Sequence, residues 1–261
     1  MKNNISILGS GWLGLPLIES FLNNGYSVKA STTSVNKVAQ LAALKAEPFV
    51  VDIDNITANI QTFLQSEVLI INIPSKNISG FKTLVDHIEK SVVKKVLFVG
   101  STSIYDNINT TIDESSGDEI TNKPLYQIEN LFKDNDKVAT TIVRFAGLIG
   151  YGRHPGRFFA NGKVIKDPDS LVNLIHRDDC IAIITQIIAK QIWNEDFNCC
   201  ADTHPSKREY YAKAVKSLGG GMPEFATQSS AAFKIISNKK VKQYLNYTFL
   251  HADLMENIDH L

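Results

Sequence analysis

Six residues near the start, Gly9-Ser10-Gly11-Trp12-Leu13-Gly14, constrain this chain more than any other stretch. They read G-x-G-x-x-G. The apolar run 5–8 stands directly before them, and Leu17, Ile18, Phe21 and Leu22 follow at helical spacing. A strand, a tight turn and a helix form the local context in which that spacing has a mechanism. Gly9 permits the turn, Gly11 lets the backbone approach a pyrophosphate, and Gly14 lets the helix pack close to the strand. Amides at the helix start, around Trp12 and Leu13, then meet the phosphates at the positive end of the helix dipole. The motif predicts a dinucleotide site.

Behind it, short apolar runs alternate with amphipathic stretches. Strands are predicted at 5–8, 26–30, 48–53, 68–73, 95–99 and 140–145. Helices are predicted at 35–44, 57–64, 81–91 and 125–132, and Gly25 ends the helix that follows the glycine motif. Alternation at this pitch means βαβ units with right-handed connections, and a ligand beyond the carboxyl ends of the strands. After Gly147 the texture changes. A turn-rich loop at 150–156 precedes an apolar helix that Asp178 and Asp179 open and that runs to 188. A strand at 197–201 follows, then a helix at 206–218 stopped by Gly219-Gly220-Gly221. The expected fold is α/β: a Rossmann-type doubly wound parallel sheet with a small C-terminal mixed lobe. Residues 1–150 are expected to form the dinucleotide-binding core. Residues 151–261 supply substrate-side elements and the lobe, interwoven with that core as one structural domain.

Composition excludes several partners. Lys+Arg and Asp+Glu are both 27, so no basic footprint for nucleic acid or an anionic membrane is expected. No run of about 18 apolar residues marks a membrane span. The N-terminus enters a strand pattern directly, without the layout of a signal peptide. Cys180, Cys199 and Cys200 make neither a disulfide framework nor a zinc-ligand spacing, so reduced core cysteines of a cytoplasmic protein, with no metal, are expected.

The choice of dinucleotide rests on the end of the second strand. A carboxylate there would hold the ribose 2′-hydroxyl of NAD and repel a 2′-phosphate. This chain has Ala30-Ser31-Thr32-Thr33-Ser34, with Lys37 one turn on. Hydroxyls and an amine at Thr32, Thr33 and Lys37 suit a phosphate, which favours NADP over NAD. Asp52 and Ile53, ending the third strand, are expected to flank the adenine. Asn72, Ile73 and Pro74, ending the fourth, are expected to line the adenosine or pyrophosphate side.

The block Val96-Leu-Phe-Val-Gly-Ser101-Thr-Ser-Ile-Tyr105 resembles the fifth strand of the extended short-chain dehydrogenases/reductases, the epimerase/dehydratase-type relatives of nucleotide-sugar enzymes. Further stretches are similar to that family in the same order. They are Ile112-Asp-Glu114, Thr141-Ile-Val-Arg144-Phe-Ala-Gly147-Leu-Ile-Gly150-Tyr-Gly-Arg153, Leu174-Ile-His176-Arg-Asp-Asp179, Phe197-Asn198, the helix 207–218, and the segment from Ile236-Ser237-Asn238 to Tyr247. Gly147 counts with the cofactor-binding residues on this resemblance. The resemblance covers nearly the whole chain, through motifs that are each loose and specific together.

It implies a Ser/Thr that orients the substrate oxygen, a Tyr that acts as general acid/base, and a Lys that lowers the Tyr pKa and binds the ribose. Ser101 matches the first and Tyr126 the second. The Lys, four residues on, is Asn130 here, which brings no charge. In a second register, with Glu129 matched to the glutamate after the dyad, Thr121 and Leu125 fall on the catalytic positions. Either way the chain is closest to the atypical members that lack part or all of the dyad. Arg153 and Arg157, in a Gly/Pro loop where family substrates lie, are expected to bind an anion, and His176 is a substrate-side candidate. Arg144 reads as a structural ion-pair partner. Two functions stay open. One is an NAD(P)-dependent oxidoreductase or epimerase-type enzyme acting on a small polar substrate, free or nucleotide-linked. The other is a non-catalytic dinucleotide-binding sensor of the same fold. A homodimer is left open as its assembly.

Overall fold

Strand β1 (Asn4–Leu8) ends at the glycine turn, and helix α1 (Gly14–Asn23) begins where the turn closes. Leu17, Ile18 and Phe21 bury one face of α1, the spacing expected of an amphipathic helix. Gly25 stops it: its φ of +81° and its N–H bond to the Leu22 carbonyl (3.0 Å) make a left-handed C-terminal cap. The rest follows as β2 (Ser27–Thr32), α2 (Val38–Ala43), β3 (Glu47–Val50), α3 (Ile60–Phe63), β4 (Val68–Ile71), α4 (Ile78–Ile88), β5 (Lys95–Ser101), β6 (Thr111–Ile112), α5 (Pro124–Lys133) and β7 (Ala139–Phe145). Next come β8 (Gly147–Ile149), β9 (Leu174–His176), α6 (Arg177–Ala189), β10 (Asp196–Cys199), α7 (Lys207–Ser217), β11 (Ile235–Ile236) and α8 (Lys239–Leu245). This computed structural model describes residues 4–159, 162–228, 232–256 and 258. The N-terminal residues 1–3, on which the leader reading partly rests, lie outside that set.

The main sheet has seven strands in the order β10-β7-β5-β4-β1-β2-β3. Its β3-β2-β1-β4-β5 core is the order of a doubly wound dinucleotide-binding sheet, with the order reversing beside β1. From β3 to β5 the pairing is parallel, with Ile7 opposite Ala30 on one side and Ile70 on the other. All four residues of β4 are buried, as a strand covered on both faces requires. Two small parallel pairs, β6 with β11 and β8 with β9, stand apart from this sheet. No helix among the described residues is long and apolar enough to cross a membrane.

The chain divides into two compact units. One holds Met1–Gly100, Ile120–Val143 and Ile184–Asp196; the other holds Ser101–Glu119, Arg144–Ile183 and Phe197–Leu261. In the first, Phe81, Phe98 and Phe132 meet with centroids 5.4–6.1 Å apart, within a core that includes Leu8, Leu69, Ile128 and Ile142. Burying each such ring contributes about 1.5–3 kcal/mol. The second unit has its own core of Ile149, Val172, Leu174, Ala201, Tyr210, Ala214, Leu254 and Ile258. Several elements are shorter than the sequence pattern suggests, among them β4, which ends at Ile71 rather than at 73, and β10, which ends at Cys199 rather than at 201. Residues 51–53 leave β3 after Val50, and α3 keeps a single turn of the helix expected at 57–64. Asn59 accounts for part of this, because its side-chain amide donates to the Val50 carbonyl (3.0 Å) and fixes the chain before the helix starts.

Candidate functional site

The first unit carries a cleft of about 460 Å³ at the carboxyl ends of β1 to β4. The glycine turn forms its floor. Gly9 has φ +105°, and a Cβ on it would lie 2.4 Å from the Asn72 carbonyl oxygen. A Cβ on Gly14 would lie 2.0 Å from the Gly9 oxygen, so both positions demand glycine for closeness of backbone. Gly11 is different: a Cβ there meets nothing within 4 Å, because it faces the open cleft. The residue before α1, Leu13, makes no side-chain cap.

Ten residues singled out in the sequence line this cleft: Gly9, Gly11, Thr32, Thr33, Lys37, Asp52, Ile53, Asn72, Ile73 and Pro74. Gly14 and the buried Leu13 support the turn from behind, and Trp12 is half-buried beside it. Gly147 belongs to the second unit, where it starts β8 and packs against Leu174. Sequence reasoning missed Ser31, whose Oγ accepts the Gly9 N–H (2.9 Å) and braces the turn from the end of β2. A hydroxyl at that strand end was the available signal. Thr32 is buried and its Oγ1 accepts the Ser34 N–H (3.1 Å), while Thr33 and Lys37 are exposed. The carboxylates that line the cleft, Asp52 and Asp54, follow β3 rather than β2. Asp52 accepts the Asp54 N–H (2.9 Å), and the Asn77 amide donates to Asp54 (2.6 Å).

Ser101 ends β5, half-buried, and its Oγ accepts the Ser103 N–H (3.2 Å) at the head of a 3-10 turn, Thr102–Ile104. Tyr126, in the first unit, lies half-buried on α5, with Asn130 half-buried one turn on and Glu129 buried between them. Arg153 and Arg157 are exposed on the loop after β8. His176 is buried. Burial, helped by the neighbouring His251, pushes its imidazole down to about 4. A Cβ on Gly150, which has φ +110°, would lie 2.4 Å from its Nε2.

Beneath the loop that follows Ser101 lies a buried polar network of the second unit. Arg144 is fully buried. Its Nη1 donates to the Tyr105 hydroxyl (2.8 Å) and to Glu119 (3.1 Å). The Tyr105 hydroxyl in turn donates to Asn198 (3.2 Å), and the Asn198 N–H donates to Glu114 (2.6 Å). Burial pushes the Tyr105 phenol up to about 12, against the opposing pull of Arg144. Burial likewise raises Glu114 above the ordinary carboxylate range. Arg144 is thus the ion-pair partner its strand position suggests. Tyr105, Glu114 and Asn198 each stand in a family-like stretch, but nothing in the sequence says that they meet.

A family model described as NAD(P)H-binding matches residues 9–191, which span both the glycine turn and the fifth-strand block. The chain belongs to this NAD(P)H-binding family. Its cofactor class is the nicotinamide dinucleotides. Protein YeeZ of Escherichia coli K12 is 30% identical over 269 residues, covering 95% of this chain and 96% of YeeZ. Among solved structures, a conserved protein of unknown function from Silicibacter pomeroyi superposes with a TM-score of 0.81 at 16% identity, covering 100% of this chain and 98% of its own. UDP-glucuronic acid 4-epimerase from Bacillus cereus, in complex with UDP-glucuronic acid and NAD, gives 0.80 at 17% identity, over 98% and 96% of the two chains.

Proposed function

We propose that this protein is an NAD(P)-dependent oxidoreductase or epimerase-type enzyme acting on a small polar, nucleotide-linked substrate. The observation that carries the reading is the cleft at the carboxyl ends of β1 to β4, with an open Gly11 at its floor. Its residues fit a dinucleotide. The turn 9–14 would hold the pyrophosphate, Asn72 to Pro74 the adenosine or pyrophosphate side, and Asp52 and Ile53 the adenine. The bound cofactor supplies hydride transfer at the nicotinamide C4. Ser101 takes the family's substrate-orienting role and Tyr126 its proton-transfer role, directly or through water. Without a Lys at 130 that site lacks the cation that stabilises a phenolate, so proton donation during carbonyl reduction is favoured over proton abstraction. Arg153 and Arg157 would take the anionic part of the substrate. The B. cereus neighbour, described with UDP-glucuronic acid and NAD, supports a nucleotide-linked substrate.

NADP is the preferred form. Thr33 and Lys37 are exposed at the cleft and would donate to a 2′-phosphate, and no carboxylate stands at the end of β2 to repel one. Asn130 favours one second reading, a dinucleotide sensor that has kept the fold and lost catalysis. Calorimetry with NADP and NAD, followed by turnover assays with UDP-sugars, tests both. The enzyme reading expects tighter NADP binding and measurable cofactor oxidation or reduction. Binding without turnover in any UDP-sugar, in either direction, supports the sensor.

A further inference from the structure

The junction of β9 and α6 carries a cluster that the proposed activity leaves unexplained. Asp178 Oδ2 lies 3.4 Å from His176 Nδ1 and 3.4 Å from His251 Nε2. The three ligand atoms all lie within 4.8 Å of one another. Charge-assisted hydrogen bonds to a carboxylate run about 2.7–2.9 Å, so neither imidazole closes a good one. The spacing matches something else. Ligands held about 2.0–2.2 Å from a tetrahedral zinc-type ion lie about 3.3–3.6 Å apart along each edge, as the two edges that meet at Asp178 do.

His251 points the same way. Among the described residues its buried Nδ1 has no hydrogen-bond partner and its Nε2 makes only the long contact to Asp178. With its proton on Nε2, His251 donates only that long bond and leaves Nδ1 bare; with the proton on Nδ1, the Nε2 lone pair faces the carboxylate, and a cation between the two turns that repulsion into attraction. The carboxylate and His251 are partly exposed, 32% and 23%, so an ion has access from solvent. The Tyr151 hydroxyl donates to the same Oδ2 (2.9 Å) and would remain an outer partner of the carboxylate.

We propose that His176, Asp178 and His251 form a binding site for one zinc-type divalent ion. Two imidazoles and a carboxylate select Zn²⁺, Co²⁺ or Ni²⁺ over Mg²⁺ and Ca²⁺, which take oxygen ligands. Loading exchanges the 3.2 Å bond that His176 Nδ1 accepts from the Asp178 N–H for a metal bond. It also spreads the two rings, whose centroids lie 3.7 Å apart. The ion would staple the start of α6 to the C-terminal segment. Asp179 already holds that segment, through the Tyr247 hydroxyl (2.6 Å) and the amides of Leu250 (2.7 Å) and His251 (3.1 Å). The site shares no residue with the lining of the dinucleotide cleft.

The test titrates Co²⁺ into the metal-free full-length protein and follows its visible d–d absorption, then displaces it with Zn²⁺. One Co²⁺ per chain is expected, with a higher unfolding temperature in Zn²⁺ and no change in Mg²⁺. His251→Ala and Asp178→Asn should each weaken Co²⁺ by at least about tenfold. His87→Ala, which removes an imidazole of the other unit, should leave it unchanged. Absence of a stoichiometric Co²⁺ spectrum overturns the proposal. So does undiminished binding in Asp178→Asn, which keeps the side-chain shape and stands in should His251→Ala not fold.

Discussion

The dinucleotide cleft and the Arg144 network are built in opposite ways. In the cleft, each part comes from the end of a strand, and its role is local: a glycine that must turn, a glycine that must stay small, a hydroxyl at a strand end. The Arg144 network joins Tyr105, Glu119, Arg144 and Asn198, up to 93 residues apart in sequence, around one buried guanidinium. The cleft leaves its groups open to a ligand, whereas the network closes its groups on each other. Substitutions in the cleft should therefore change binding and spare stability, and those in the network should do the reverse.

Arg144→Met puts the most strain on this contrast. It leaves Glu119 and the Tyr105 hydroxyl facing an apolar side chain in a buried site. Breaking such a pair from one side costs about 3–5 kcal/mol. Urea unfolding should show that loss, with NADP affinity kept in the folded fraction. A stability within about 1 kcal/mol of the parent protein would mean that the network does not hold the second unit together.

Gly11→Val tests the other side. The added side chain enters open space in the protein and the path of the pyrophosphate in the complex. NADP binding should fall by about 100-fold, ~2.7 kcal/mol, with an unchanged unfolding midpoint. Calorimetry that finds parental affinity would move the cofactor elsewhere. Gly14→Ala sharpens the point, because its Cβ would strike the Gly9 oxygen and should lower stability and affinity together.

Lys37→Met is expected to act on one ligand only. It should weaken NADP by about tenfold, ~1.4 kcal/mol, and leave NAD unchanged. Equal weakening of both would show that Lys37 contacts a part of the cofactor they share. A parent protein that prefers NAD would end the NADP assignment.

A further effect is in alkaline stability. Burial raises the Tyr105 phenol from 10.0 to about 12. An acid whose folded pKa is raised contributes stability that is complete below its unfolded value and is lost as pH rises through the folded one. Stability should thus decline between pH 10 and about 12, and Tyr105→Phe should make that decline shallower. Midpoints measured on both proteins across this window decide it; parallel curves would assign the decline to other buried tyrosines.

Much of this was legible from residue order alone. The glycine spacing, the apolar runs and Gly25 fix β1, the turn and α1, because strand and helix periods and positive φ are properties of a few neighbouring residues. The strand ends that line the cleft could be named for the same reason: a parallel sheet brings successive carboxyl ends to one edge. Asn130 was equally visible, as a charge missing from a fixed spacing. By contrast, that Ser31 braces Gly9 depends on β2 lying beside β1 in one register. That His176 meets His251, 75 positions later, depends on Asp179 capturing the backbone at 250 and 251. Periodicity carries no information about such pairs. They come from which chain segments the sheet and the two cores bring within a few ångströms, and hydrogen bonds and burial act only at that range.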